Sequence, residues 1–319
     1  MYGIIIFMGT IVAVDIGGTQ LRAAAYAPEQ LKPTAQKRVE TLAGKPDAFG
    51  RLITVIEDVW PRGEKVDAIG VASPGPLDPH TGYLLAPPNI QQWHNFPLIP
   101  RLSEHFGVPA FLDNDANLAC LSEWKFGAGR GHHDVLYLTI STGIGGGVII
   151  KDRLLHGHRG MAAEVGHMVV LPDGPVCGCG HRGHLEAIAS GTGIARFVAS
   201  ELEAGAESTL RRERDLSAIQ IAQAARQGDA LAKSAFERAG KYLGLAVANL
   251  LHIFDPSIII FGGGVAQAGP LLFDPFDISL KAHVFNPRYL DGLVIERAVL
   301  GDDVGLLGAL ALAQISLQY

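Results

Sequence analysis

The sequence predicts an α/β protein made of two related lobes, and three observations carry that prediction. An apolar strand that turns at glycines into a second strand occurs at Thr10 and again at Val135. Strand, loop and helix patterns alternate after each of these hairpins. With 319 residues, 48% of them hydrophobic and 18% charged, the chain has enough apolar surface for two cores.

The elements follow in order. Met1 to Met8 is apolar but has neither a basic leader nor a small-residue cleavage site, so it does not read as a signal peptide. TIVAVDIGGTQLRAAAYA, from Thr10, reads as a strand, a corner at Gly17-Gly18-Thr19 and a second strand. Asp47 to Trp60 has helical spacing, Val66 to Ala72 reads as a buried strand, and Ser73-Pro74-Gly75-Pro76 breaks it. Val108 to Leu112 is a short strand leading into Asp113-Asn114-Asp115. Ala116 to Phe126 then has helix formers with apolar positions at Leu118, Leu121 and Trp124. VLYLTISTGIGGGVII, Val135 to Ile150, repeats the glycine-cornered hairpin, and this half-repeat predicts the two lobes. Residues 166–186 are too polar and irregular for a core element. Helical patterns dominate from Thr192 to Phe254, followed by a strand at Ser257 to Phe261 running into Gly262-Gly263-Gly264. Leu293 to Val299 reads as a last strand and Leu306 to Ser316 as a closing apolar helix.

Composition excludes several classes of function. A net charge of -6, with no basic run longer than Arg211-Arg212, gives no electrostatic footprint for nucleic acid. No apolar run approaches the roughly 20 residues of a membrane helix, so no membrane partner and a soluble protein are expected. Three cysteines, Cys120, Cys177 and Cys179, make a poor disulfide framework and fit a reducing compartment, the cytoplasm.

Glycine corners after strands let backbone N–H groups approach a phosphate closely, because no Cβ intervenes. Each corner alone is an ordinary hairpin turn. Together the three predict a nucleotide site at Gly17, Gly18, Thr19, Thr142, Gly143, Gly263 and Gly264. Gly44-Lys45-Pro46 and Gly240-Lys241-Tyr242 do not complete a phosphate-binding Gly-Lys-Ser/Thr loop. Gly143-Ile144-Gly145 has Val148 at the third glycine position of a dinucleotide fingerprint and runs into a strand. Asp15 follows its strand where a carboxylate can face phosphates and hold Mg²⁺ directly or through water; the plainer alternative is a turn cap. At the strand-to-helix junction, Asp113 or Asp115 is read either as an N-cap or as a functional carboxylate, and the residues alone favour the cap.

His167, Cys177, Cys179 and His184 lie within 18 residues, a set that suits tetrahedral Zn²⁺ and that would order a loop without an apolar core. His181 competes for the last position, and a free dithiol with solvated histidines is the alternative. His156 and His158 read as a polar turn, Cys120 as a packed helix residue, and His132-His133 and Trp93-His94 as surface loop residues.

The chain resembles the ROK (repressor, open reading frame, kinase) family of sugar kinases, of the bacterial glucokinase type. The resemblance rests on Asp15-Ile16-Gly17-Gly18-Thr19, Ser73-Pro74-Gly75-Pro76, Asn89, Asp113-Asn114-Asp115-Ala116-Asn117, Thr142-Gly143-Ile144-Gly145-Gly146-Gly147, Glu164-Val165-Gly166-His167, Cys177 to Glu186 and Gly262-Gly263-Gly264, and it spans nearly the whole length. It implies an actin-like ATPase (ribonuclease H-like) fold, with ATP and a hexose in the cleft between two α/β lobes. The smaller lobe would be residues 1–119 plus 305–319, and the larger, zinc-bearing one residues 120–304. The family pattern makes Asp115 the catalytic base, and places Gly75, Asn89, Asn114, Glu164, His167 and Glu186 on the sugar with it. It departs at His184, which stands where the family usually has a third cysteine.

The activity implied is ATP-dependent phosphorylation of a hexose, glucose to glucose 6-phosphate, with Mg²⁺ and a structural Zn²⁺, by a homo-oligomer (dimer or tetramer). The same family pattern leaves open another hexose, such as N-acetylmannosamine, mannose or fructose, and a donor such as ADP or polyphosphate. A sugar-sensing regulator without catalysis is the remaining alternative.

Overall fold

The computed structural model describes residues 9–18, 20–40, 47–87, 93–213 and 215–318. Thr19 and Asn89, both expected at the site, lie outside the described residues. The chain divides into two compact units. One takes in the described residues up to Arg130, Leu154–Ala162 and those from Val299; the other is Gly131–Arg153 with Ala163–Ala298.

The first unit is built from β1 (Thr10–Ile16), β2 (Gln20–Tyr26), β3 (Ala35–Glu40), α1 (Ala48–Glu57), β4 (Val66–Ser73), β5 (Leu77–Asp78), β6 (Tyr83–Leu84), α2 (Leu98–Phe106), β7 (Ala110–Asn114) and α3 (Asp115–Phe126). Every residue of β1 is buried, because it lies mid-sheet between β2, antiparallel, and β4, parallel, in the order β3-β2-β1-β4-β7. Helix α1 buries Leu52, Ile53, Val55 and Ile56, and starts at Asp47, whose side chain accepts from Gly50 N at 3.0 Å. Strand β7 ends two residues later than the sequence indicates, so Asp113 and Asn114 belong to it. Trp93, expected on the surface, is buried and stacked on Phe96 with centroids 5.0 Å apart, an apolar contact that its polar neighbour His94 conceals in the sequence.

In the second unit follow β8 (Val135–Ile140), β9 (Ile144–Ile150), β10 (Arg153–Leu154), α4 (Glu186–Ala189), α5 (Gly191–Glu203), α6 (Ala218–Arg226), α7 (Ala230–Phe254), β11 (Ile258–Gly262), α8 (Pro270–His283) and β12 (Val294–Arg297). Its sheet runs β10-β9-β8-β11-β12, again an antiparallel hairpin extended by two parallel strands. The half-repeat seen in the two glycine-cornered hairpins therefore extends to the strand order of whole sheets.

Helix α9 (Val304–Ser316) belongs to the first unit and packs on α3, β1 and β4. It is apolar on most of its circumference because it is covered on several sides. The approach is close: a Cβ on Gly70 would lie 1.9 Å from Ala309 O, and one on Gly308 2.4 Å from Leu118 O. Helix α3 is unbroken to Phe126, so the chain leaves the first unit after that helix and not at residue 119. Among the described residues no helix is long and apolar enough to cross a membrane.

Candidate functional site

In the first unit, β7 passes directly into α3, and the junction carries Asp113, Asn114 and Asp115. Asn114 is the N-cap: its backbone is extended and its Oδ1 accepts from Ala116 N at 2.9 Å, an N–H that Asp115 Oδ1 also receives at 2.8 Å. The capping role that the sequence left open to Asp113 or Asp115 thus falls to the residue between them. Asp113 is only 1% exposed, and its carboxylate accepts from Asn114 N (2.7 Å) and Asn117 Nδ2 (3.0 Å). His156 Nε2 lies 2.6 Å from its other oxygen. A carboxylate supplied with three donors and closed to solvent is poorly placed to take a proton from a substrate. The exposed carboxylate of the triplet is Asp115.

The reading of His156 as a residue of a polar turn is thereby corrected. The hydrogen bond to Asp113 raises its pKa above the ordinary imidazole value, against the opposing effect of burial, and the charge of Asp113 adds to the rise. Nothing in the local sequence signals this, because the partner is 43 residues away. Gly75, preceding a cis bond to Pro76, lies beside the same junction; a Cβ there would be 3.4 Å from Asn114 Nδ2. Two of the expected sugar contacts are therefore neighbours.

Asp15 is buried near the end of β1, and Arg22 of β2 ion-pairs with it, its Nε donating at 3.1 Å. Arg22 also donates to Asp302 O at the start of the α9 region. In this arrangement the carboxylate of Asp15 already has a cationic partner, so a Mg²⁺ reached through water is a better fit to it than direct ligation. Gly17 N donates to Gln20 O at 2.8 Å and closes the first corner.

In the second unit, the corner between β8 and β9 is closed by Ser141 N donating to Gly143 O at 2.9 Å. Glu186 Oε2 accepts from Ile144 N at 3.0 Å, and a Cβ on Gly143 would stand 2.4 Å from that oxygen. Gly263, after β11, has a positive φ of 86° and sits against Ile140 O, where a Cβ would be 2.3 Å away. The glycine corners at 143 and 263 thus flank the end of β8. Next to them lies a cavity of about 690 Å³, lined among others by Thr142, Arg196, Asp215, Arg226, Phe236 and Gly264. That volume suits a nucleoside-sized ligand. Thr142 and Gly264 were expected there; Arg196, Asp215 and Arg226 were not, since isolated charged residues in helical runs carry no motif.

Beyond β9, His167, Cys177, Cys179 and His184 bring their ligand atoms within 4.8 Å of one another. His167 Nδ1 and His184 Nδ1 are 3.3 Å apart, Cys179 Sγ and His184 Nδ1 3.3 Å, and Cys177 Sγ and His167 Nδ1 3.9 Å. A tetrahedral site with the usual zinc–nitrogen and zinc–sulfur bonds has edges of about 3.3–3.8 Å, so the donor set fits. His181 stands outside the group, its ring centroid 6.0 Å from that of His184. Burial, with the neighbouring imidazoles of His167 and His181, lowers the pKa of His184, the direction that favours the neutral form a metal ligand needs. Burial pushes the Cys177 thiol up to about 11, helped by the Glu186 carboxylate, whose Oε1 is 3.4 Å away. A cation bound at the cluster would act in the opposite direction and favour the thiolate. Glu186 links this cluster to the glycine corner through its bond to Ile144. Glu164 is exposed and begins the short turn Val165–His167, which packs on β9 so closely that a Cβ on Gly166 would lie 2.1 Å from Ile144 O.

Comparison with known proteins places the whole chain in one family. The ROK family pattern matches residues 11–315. The glucokinase of Thermotoga maritima is 39% identical over 306 residues, covering 94% of this chain and 95% of its own length. Among solved structures, the ROK hexokinase of Thermus thermophilus superimposes with a TM-score of 0.82 at 34% identity, over 97% of this chain and all of the other. The ROK family glucokinase of Streptomyces griseus, solved in complex with glucose and AMPPNP, gives 0.78 at 34% identity, over 96% of this chain and 100% of the other. The shared length, the shared actin-like ATPase fold and the motifs at the two hairpins, the 113–117 junction and the Cys/His loop lead to one statement: this chain belongs to the ROK family.

Proposed function

We propose that this chain transfers the terminal phosphoryl group of ATP to a hydroxyl of a hexose, glucose being the sugar, to give glucose 6-phosphate. The observation that carries the reading is the 113–115 junction, where one carboxylate is buried and saturated with donors, one amide caps the helix, and the third side chain, Asp115, is exposed at the helix start.

A sugar hydroxyl is a weak nucleophile until its proton has an acceptor, and Asp115 is the general base in this reading. Gly75, Asn89, Asn114, Glu164, His167 and Glu186 hold the sugar hydroxyls. Asn114 spends its carbonyl oxygen on the cap, so its amide nitrogen is the group offered to the sugar. The cavity beside Thr142 and Gly264 suits the nucleoside of ATP, and its phosphates are assigned, on the glycine-corner motifs of the sequence, to Gly17, Gly18, Thr19, Gly143 and Gly263. When bound, Mg²⁺ supplies neutralisation of phosphate charge. Asp15 is the group proposed to hold it through water. Zn²⁺ on His167, Cys177, Cys179 and His184 is structural, since four protein ligands leave no open position. With Nδ1 of His167 facing the cluster, its Nε2 is the nitrogen offered to the sugar, and the metal thereby orients a substrate contact. The same reading carries a homo-oligomeric assembly and a cytoplasmic location.

The test is ADP formation from ATP across a panel of hexoses, with and without Asp115→Asn. Glucose should give the highest kcat/KM, and the variant should lose roughly 10²–10⁴-fold in kcat while sugar affinity is kept. Near-normal turnover in the variant, or no sugar-dependent ADP from the native chain, would refute the reading.

A further inference from the structure

The stretch Leu154–Ala162 lies in sequence between two segments of the second unit, yet it packs with the first. It is seated there at two points. Gly160 rests on the ring of Pro79, so closely that a Cβ would be 2.3 Å from Pro79 Cδ, and His156 reaches the buried carboxylate of Asp113. His156 is itself held from within the stretch, its carbonyl accepting from Ala162 N at 3.0 Å. The imidazole is 32% exposed, and the ring of His80 stands 6.4 Å away, centroid to centroid.

Asp113 divides its acceptors between two jobs. One oxygen holds the junction itself, through Asn114 N and Asn117 Nδ2, and the other meets His156. The demands of this carboxylate dominate its surroundings. Asn117 turns its amide nitrogen to Asp113 and leaves its own Oδ1 buried with no hydrogen-bond partner, an arrangement that costs free energy unless the carboxylate needs the donor more. Without His156, a buried anionic oxygen would lack its donor, and the side chain would rotate to find another. The backbone that would move with it carries Asn114 and Asp115.

We propose that His156 is a positioning residue for phosphoryl transfer: by donating to Asp113 it holds the 113–117 junction in the geometry that aims Asp115 at the sugar hydroxyl. The proposal rests on Asp115 being the base. It assigns to Leu154–Ala162 the task of bracing the catalytic junction from outside the β7–α3 segment. Misplacement of a catalytic group by about 1 Å can cost about 10²-fold in rate, so the effect should fall on kcat more than on ATP binding.

The experiment measures kcat and KM for ATP and for glucose in H156A, H156Q and D115N, with thermal unfolding as the control for folding. H156A should lose roughly 10–100-fold in kcat with KM for ATP within about twofold of native. H156Q, whose amide nitrogen reaches about as far as Nε2, should recover most of the loss. Free imidazole should partly restore H156A, because the native ring is reachable from solvent. Native kcat in H156A, or a loss that neither the glutamine nor imidazole repairs in a folded protein, overturns the proposal. Should H156A fail to fold, H156Q is compared with H156L; equal turnover in the two overturns it equally. D115N separates the two claims, since full turnover there defeats the assignment of the base whatever His156 does.

Discussion

Glu123 offers a sharp test of how the first unit is held together. It is fully buried on α3, and its carboxylate accepts three backbone N–H groups: Val299 and Leu300 on Oε1, at 2.8 and 2.9 Å, and Ala128 on Oε2, at 2.9 Å. It thus ties the segment where the chain first leaves the unit to the segment where it returns for the last time. Glu123→Gln keeps an oxygen for Val299 and Leu300 but turns an NH₂ group towards Ala128 N, losing one charge-assisted bond and opposing two donors. That change should cost about 1.5–3 kcal/mol. Glu123→Ala strands all three donors. Val299 is exposed enough for water to replace part of its bond, so the sum comes to about 3–5 kcal/mol. Gly127→Ala should act through the same carboxylate, because a Cβ there would lie 2.0 Å from Glu123 Oε2. Urea unfolding followed by tryptophan fluorescence, with the slope compared among variants, measures the series. A glutamine variant as stable as the native chain, or an alanine variant no worse than the glutamine, would refute the argument.

Three further outcomes follow from other sites. Burial works to raise the carboxyl of Asp229, but bonds from Ala232 N, Thr209 N and the hydroxyls of Thr209 and Ser208 outweigh it and hold the pKa at about 2, below the ordinary 3.8. A depressed carboxylate stabilises fully above its unfolded pKa, so its contribution of roughly 2 kcal/mol is present above about pH 4 and vanishes as pH falls through about 2. Asp229→Asn should therefore be weaker than native at pH 6, with the gap in urea midpoint closing as acid is added; a gap independent of pH would contradict this. Elemental analysis should find about one zinc per chain, and chelation should raise KM for the hexose before secondary structure is lost by circular dichroism. Gly143→Ala should displace the Glu186 carboxylate from Ile144 N and weaken sugar and ATP binding together, measurable by titration calorimetry; unchanged affinities would remove Gly143 from the site.

Local chemistry was legible in the sequence, and distant pairing was not. Both hairpins, the junction after β7 and the Cys/His loop are each written within about twenty consecutive residues, so their glycines and the clustered Cys and His side chains show as spacing, although the cap itself falls to Asn114 and not to Asp113 or Asp115. His156 and Glu123 have partners 43 and 176 residues away, and no local pattern encodes such a bond. Helix α8 escapes notice for a different reason: it contains Pro275, normally a sign against a helix interior, which sits in its first half. Strand β3, AQKRVE, lacks an apolar alternation because it lies at a sheet edge and exposes most of its side chains. At the junction itself, the residue types were visible but their division of labour was not, since deciding which carboxylate is buried requires knowing what covers it.

Helix α9 has a consequence for how the protein is made. The strands it covers, β1 and β4, are synthesised first, but the helix that shields them from water is translated after residue 300. The second unit lies wholly upstream of that helix, so on the ribosome it can complete its core while the first unit still waits with an open apolar face. Expression as an N-terminal fragment would leave that face permanently bare, and such a fragment should aggregate where the intact chain does not.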